Sequence, residues 1–302
     1  MLIQQYVAPY LLYIKAKGRT DKTVREHMRL FTQVIVPTIG DREVMSLKRI
    51  DTVLLEEQGR KFGEHGAQRS VCLLRRLLNY IEDSGDKLPF DWRGIKLPKV
   101  PFVPVHSLSD SEMELVRNNI DTNSISGLRE RALIELLYDS GMRIGEAVSI
   151  DKKDVDWLNK EIEIVNCKTK EKQVVYFTDN AAVWLQKYIA ARKDNFDFLF
   201  VSGRGRLLEV TSRNYITQLS KRLAALGLHK RVHHHLFRKT YTTNLLTKGV
   251  NIKAVQILAR HKSERTTLRH YVAVSVDQAK YEYRRVMDSV LTFPKLVGKI
   301  EA

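Results

Sequence analysis

The chain of 302 residues is 43% hydrophobic and 28% charged, enough apolar material for one large core or two ordinary ones. It has no uninterrupted run of about 18 apolar residues, which excludes a helical membrane span, and Met1–Tyr10 lacks the basic and apolar regions of a signal peptide. Lys and Arg number 51 against 35 acids, a net charge of +16, so a polyanionic partner is expected; nucleic acid is preferred over an acidic membrane, because no isolated basic amphipathic helix is present.

Four helices are predicted first. Leu2–Lys17 carries Val7, Tyr10, Leu11 and Ile14 at helical spacing and stops at Gly18. Thr20 caps a second helix, Asp21–Ile35, which Pro37 is expected to close. Leu47–Arg60 and Gly66–Asp83 follow, the last ending at Gly85. From Asp86 to His106 the character changes: Pro89, Pro98, Pro101 and Pro104, four of the chain's seven prolines, stand among Lys87, Arg93, Lys96 and Lys99. Clustered proline disfavours helix and stiffens an extended segment. Residues 86–106 are therefore read as a basic linker between a helical domain, 1–85, and a second domain, 107–302.

The second domain reads as α+β, so the whole chain is expected to be mainly α with a small β-sheet. Gly127–Ser140 is helical, with Leu128, Ala132, Leu133, Leu136 and Leu137 on one side, and Gly141 suits its C-terminal cap. Met142-Arg143-Ile144 turns into another helical stretch. Glu161–Asn166 and Gln173–Thr178 flank a lysine-rich turn, a hairpin signature. Helices are predicted over Asp179–Arg192, Ser212–Leu226, Leu236–Lys248, Asn251–Arg260 and Ser275–Val290, with a tail at Phe293–Ala302. Trp157 and Trp184 are expected in the core. Cys72 and Cys167 are far apart and outside any metal-like spacing, which points to a reduced cytosolic setting.

The stretch His229–Tyr271 holds ten Lys or Arg, one acid (Glu264) and six of the nine histidines. Metal binding is one reading, through His233, His234, His235, His261 and His270. Consecutive histidines project in different directions, however, and the surrounding positive charge repels a cation, so no metal is expected. Phosphoryl transfer is the stronger reading. Guanidinium groups bind phosphate bidentately and stay protonated, so two arginines can meet the charge that grows on nonbridging oxygens. A hydroxyl must then attack, and an acid must protonate the departing oxygen. His235-Leu236-Phe237-Arg238 puts His and Arg three apart on one face of a helix start. His261 lies after the next helix and Tyr271 ten residues further on.

Four blocks now resemble the tyrosine recombinase (phage integrase) family, in the family's order. Tyr138 to Glu146 resembles the block holding the first catalytic arginine, here Arg143. Lys168-Thr169-Lys170-Glu171-Lys172 resembles the hairpin turn with the catalytic lysine; Lys168 aligns best, with Lys170 and Lys172 as alternatives. His235 to Arg238 resembles the family's HxxR box, and His261 to Tyr271 the segment with the last histidine and the nucleophile. The helical N-terminal section is similar to the family's SAM-like core-binding domain, so the likeness covers nearly the whole chain. Two departures stand out: Leu258-Ala259-Arg260-His261 has Arg260 where the family has glycine, and the His261-to-Tyr271 spacing is ten, where nine is also common.

The resemblance implies that Tyr271 attacks a DNA phosphate to give a 3′-phosphotyrosyl link. Lys168 would protonate the 5′-oxygen, while Arg143, Arg238 and His261 stabilise the transition state and His235 takes the nucleophile's proton. Tyr241, Tyr281 and Tyr283 are rival tyrosines that fit packing better, and the bland roles of Arg143 and Arg238 are a helix cap and a structural ion pair. Also implied are double-stranded DNA with a recombination site, a homo-tetramer on two duplexes passing through a Holliday junction, and need of neither ATP nor metal. A chain opening directly on the helical bundle tilts towards the simpler Xer-like architecture. A type IB topoisomerase-like nicking enzyme and a catalytically silent DNA-binding regulator are the rival functions.

Overall fold

In the computed structural model, which describes residues 1–101, 107–165, 171–261, 263, 283–284 and 286–287, the chain divides into two units, Met1–Pro104 and Val105–Ala302. In the first, a 3-10 turn over Ile3–Tyr6 leads into α1, Val7–Ala16. Helix α2, Asp21–Leu30, begins where the Thr20 hydroxyl accepts from the Thr23 amide at 3.4 Å. The helical path does not stop for Pro37. A π turn over Phe31–Ile35 carries it into α3, Val36–Ile39, with Pro37 in the first turn. In that widened turn Val36 N–H donates to Phe31 O, which gives room for a ring that cannot donate and would press on a regular α-turn. The expected end at Ile35 is thereby corrected to Ile39.

Helices α4, Ile50–Arg60, and α5, Glu64–Asp83, meet backbone to backbone. A methyl on Gly66 would lie 2.5 Å from the Gly59 carbonyl oxygen, and one on Gly59 2.7 Å from the Ala67 Cα. This approach lets Leu55, Val71, Leu74 and Leu78 close around Phe31, Val34 and Ile35, all buried. The proline-rich segment that follows lies on the same unit as far as Pro98. Trp92 Nε1 donates to Glu82 at 2.9 Å, Arg93 pairs with both Glu82 oxygens, Gln68 donates to the Pro98 carbonyl at 3.1 Å, and Ile95 is buried. The helical unit thus reaches past residue 85, because Ile95 joins its core and Trp92 packs against it.

The second unit opens on α6, Asp110–Asn118, a helix absent from the sequence-based expectation. Its start is a reciprocal cap: Ser109 Oγ accepts from the Glu112 amide at 3.2 Å, and Glu112 accepts from the Ser109 amide at 2.7 Å. Then come α7, Ile125–Ser140, and the single turn α8, Ile144–Ala147. Strands β1, Val155–Asp156, β2, Glu161–Val165, and β3, Lys172–Tyr176, form an antiparallel sheet in that order, with Glu161 opposite Tyr176 and Val165 opposite Lys172. Ile162, Ile164 and Val175 point into the core, as period-two alternation requires.

Helix α9, Asp179–Ala191, precedes a two-residue hairpin pair, β4, Val201–Ser202, and β5, Gly205–Arg206. Helices α10, Glu209–Ala225, α11, His234–Thr247, and α12, Ile252–Leu258, complete the described elements. Helix α7 is central, packing on both α9 and α11. Ile134, Leu136, Leu137, Leu185, Phe200 and Phe237 fill the interior, and Trp157 and Trp184 pack against it. Buried Glu135 lies between Arg117 and Arg131 and accepts from Asn180, so its charge is matched. Cys167 and most of the expected helix Ser275–Val290 fall outside the described residues, as does the 293–302 tail; Tyr283, Arg284, Val286 and Met287 are helical. Among the described residues no helix is long and apolar enough to cross a membrane.

Candidate active site

The site is organised by the end of α7. Gly141 caps it in the left-handed region at φ 58°, and its missing side chain is replaced by a ring: a methyl there would lie 2.2 Å from Tyr241 Cδ1 on α11. Tyr241, one of the rival tyrosines, is therefore a packing residue that seats α11 on this turn. Two residues on, Arg143 is the N-cap of α8. Its backbone N–H donates to Glu146 Oε2 at 2.7 Å and its guanidinium to Glu146 Oε1 at 2.7 Å, while its side chain stays 44% exposed. The expected cap on the helix ending at Gly141 is thus not what Arg143 supplies: it opens the next helix, α8, and presents a cation to solvent.

Arg238 comes up from α11 and is buried. It donates to the Gly141 carbonyl at 2.6 Å and to the Ala259 carbonyl at the end of α12. The α7–α8 turn and the α12 terminus are thus tied through one guanidinium, which makes no ion pair with an acid among the described residues. Burial, then Arg143 and Arg260, push its pKa down to about 9, still protonated at neutral pH. Arg260 lies alongside, 7% exposed in its side chain, and donates to Glu146 Oε2 at 3.0 Å. Burial alone would raise the Glu146 carboxyl. Arg260, then the backbone and side chain of Arg143, outweigh it and hold the group below the usual carboxylate range. Two guanidiniums therefore share one carboxylate beside a third, Arg238, that has none among the described residues, an arrangement in a partly dry pocket that favours an added anion.

Histidine chemistry flanks these cations. His233 is the N-cap residue of α11 and His234 and His235 form its first turn, the last two rings 4.3 Å apart. His235 reaches the surface. Desolvation, then His233, Arg238, Arg143 and Arg213, hold its imidazole below the usual value, which favours the neutral ring. His234 is pushed down to about 4 by burial, His235, Arg213 and His233. His261 follows Arg260; its amide donates to the Gln256 carbonyl at 3.0 Å, closing α12 two residues beyond the carbonyl that Arg238 holds. The structure thus brings Arg143, His235, Arg238 and the His261 backbone to one region. Lys168 and Tyr271 lie outside the described residues. Among the described residues no group of three or more His, Cys, Asp or Glu could hold a metal ion.

Residues 106–278 match the model of the phage integrase family. The chain belongs to this family of tyrosine recombinases. Tyrosine recombinase XerC of Leptospira interrogans is 33% identical over 183 residues, covering 59% of this chain and 57% of that protein, so the match spans little more than half of that relative's length. The Tn1549 transposon integrase, solved in complex with transposon right end DNA, superposes with a TM-score of 0.77 at 21% identity over 95% of this chain and 100% of that one. A lambda integrase tetramer bound to a Holliday junction gives 0.71 at 17% identity over 87% and 78%. At these identities the two structures speak for a shared fold.

Within this integrase-family chain, Glu146 and Arg260 join the site beyond the residues that the motifs name. Glu146 stands three after Arg143, the spacing of a capping acid, and that signal was open to reading. Its pairing with Arg260, 114 positions away, was not, since only the tertiary fold brings α8 to the end of α12.

Proposed function

We propose that the chain is a site-specific DNA strand transferase, cutting and rejoining strands through a 3′-phosphotyrosyl intermediate on Tyr271 and a Holliday junction. The observation that carries this reading is the cation cluster of Arg143, Arg238 and Arg260 with, among the described residues, one acid, Glu146, paired to two of them, inside the segment matched to the family. A scissile phosphodiester supplies the anion such a cluster lacks. In this reading Arg143 and Arg238 take its nonbridging oxygens and meet the charge that grows in the transition state. The Tyr271 oxygen attacks phosphorus and gives its proton to neutral His235. The bond to the 5′-oxygen breaks, and Lys168 protonates that oxygen. His261 donates to a phosphate oxygen. A 5′-hydroxyl from a partner strand then attacks the phosphotyrosine and expels Tyr271. One phosphoester forms for each one broken, so the exchange consumes no ATP.

The reading extends to a homo-tetramer on two duplexes in the cytosol, with the lambda integrase tetramer on a Holliday junction in support of the assembly. It assigns DNA clamping to the helical domain and the chemistry to residues 107–302. The test uses a pool of duplexes nicked beside a randomised core, so that the short 5′-hydroxyl fragment diffuses away and traps the link. A protein–DNA adduct on a denaturing gel is expected, and Tyr271→Phe abolishes it. An adduct that persists in Tyr271→Phe refutes the nucleophile. Relaxation of supercoiled plasmid without joining of two duplexes supports the topoisomerase-like alternative instead.

A further inference from the structure

Arg260 combines three features that ordinary packing does not explain. Its backbone sits at φ 53°, one of two positive-φ residues other than glycine among those described, in a conformation where glycine meets no strain and arginine does. Its side chain is 7% exposed, in a pocket that already holds Arg238 and borders Arg143. Its Nε is buried with no hydrogen-bond partner among the described residues. A strained, desolvated cation beside two others persists only where something specific holds it, and here that is Glu146 Oε2 at 3.0 Å.

The same carboxylate orients Arg143. Glu146 accepts the Arg143 amide on Oε2 and its guanidinium on Oε1. We propose that Arg260 is a positioning residue for strand cleavage: by holding the Glu146 Oε2 that also accepts the Arg143 amide, it fixes the carboxylate that aims the Arg143 guanidinium at the scissile phosphate. The role is indirect, since Arg260 acts through Glu146. It rests on the strand-transfer reading above only for its effect on rate, because the clamp itself is a property of the protein without DNA.

Among the described residues the charged and titratable groups around Glu146 are few. Arg143 lies on its own helix, Arg260 beyond α12 and Arg238 on α11, with Tyr241 on α11 facing both of those arginines. On α10, Glu209 approaches Gly145 and is paired with Arg213. Removing Arg260 leaves Arg143 alone against the burial that favours a protonated Glu146, so the carboxyl rises and the aim of Arg143 becomes sensitive to acid.

The experiment compares wild type with Arg260→Met, which keeps the stem, Arg260→Gly, which suits the backbone, and Arg260→Lys, which returns the charge. Two readouts are taken on the full chain. One is the carbon-13 titration of the Glu146 carboxyl, assigned with Glu146→Gln; the other is the rate of adduct formation on the nicked duplexes between pH 5 and 8. Expected are an upward shift of the Glu146 titration in the Met and Gly variants, and slowing by about tenfold to a hundredfold that deepens as pH falls. The Lys variant recovers most of both. An unmoved Glu146 titration overturns the clamp, and a moved titration with unchanged cleavage overturns the positioning role. A uniform loss of rate at every pH, with no recovery in the Lys variant, marks Arg260 as merely structural and overturns the proposal too. If wild type itself forms no adduct, the strand-transfer reading fails, while the titration still decides whether Arg260 clamps Glu146.

Discussion

Arg143, Glu146, Arg238 and Gly141 have distinct jobs, and each can be tested by one substitution. Glu146 is the acid paired with both Arg143 and Arg260, so Glu146→Gln leaves cations uncompensated and is expected to cost about 3–5 kcal/mol of stability, read by chemical denaturation. Because its folded carboxyl is held below the ordinary carboxylate range, its contribution is present above that range and lost as pH falls through the folded value. The stability gap between wild type and Glu146→Gln should therefore be constant near neutrality and close below about pH 4.5. Arg238→Ala and Arg143→Ala should each slow adduct formation by about a few hundredfold, the usual loss for one transition-state donor. Gly141→Ala meets both a positive φ and the Tyr241 ring, and should destabilise by about 2–5 kcal/mol. That Arg143, His235 and Arg238 share one region could be expected from motifs in the sequence. The Glu146–Arg260 pair could not, because its members are local to nothing but each other.

Helices with a clear apolar stripe were the most legible elements. Predicted Gly127–Ser140 and observed α7, and predicted Asp179–Arg192 and observed α9, differ by only a residue or two. The failures have separate causes. Pro37 was read as a stop, but a π turn absorbs it. Helix α6 is short and its signal lies in the Ser109–Glu112 cap rather than in periodicity. Strands β4 and β5 have two residues each, too few for any period to register. At this scale the α4–α5 crossing is the sharpest test. Gly66→Ala puts a methyl against the Gly59 carbonyl oxygen, and the two helices must part. Thermal melting should show a loss of about 1–3 kcal/mol, whereas Gly63→Ala, in open space but at φ 85°, should lose only the cost of its backbone.

The whole molecule is governed by its charge of +16. If binding engages six to ten phosphates, DNA affinity should fall by about 10³ to 10⁵ between 50 and 200 mM salt, which fluorescence anisotropy on a labelled duplex would measure. A slope near zero would remove the electrostatic basis for a nucleic-acid partner.

The hold of Glu82 on Trp92 and Arg93, with Gln68 on the Pro98 carbonyl, also decides where the molecule can be divided by genetic truncation. A fragment stopping at Gly85 would shed the indole and Ile95 and bare a greasy strip along α5, so it should aggregate on expression. One stopping just after Pro101 keeps that covering and should be recovered as a soluble, helical monomer.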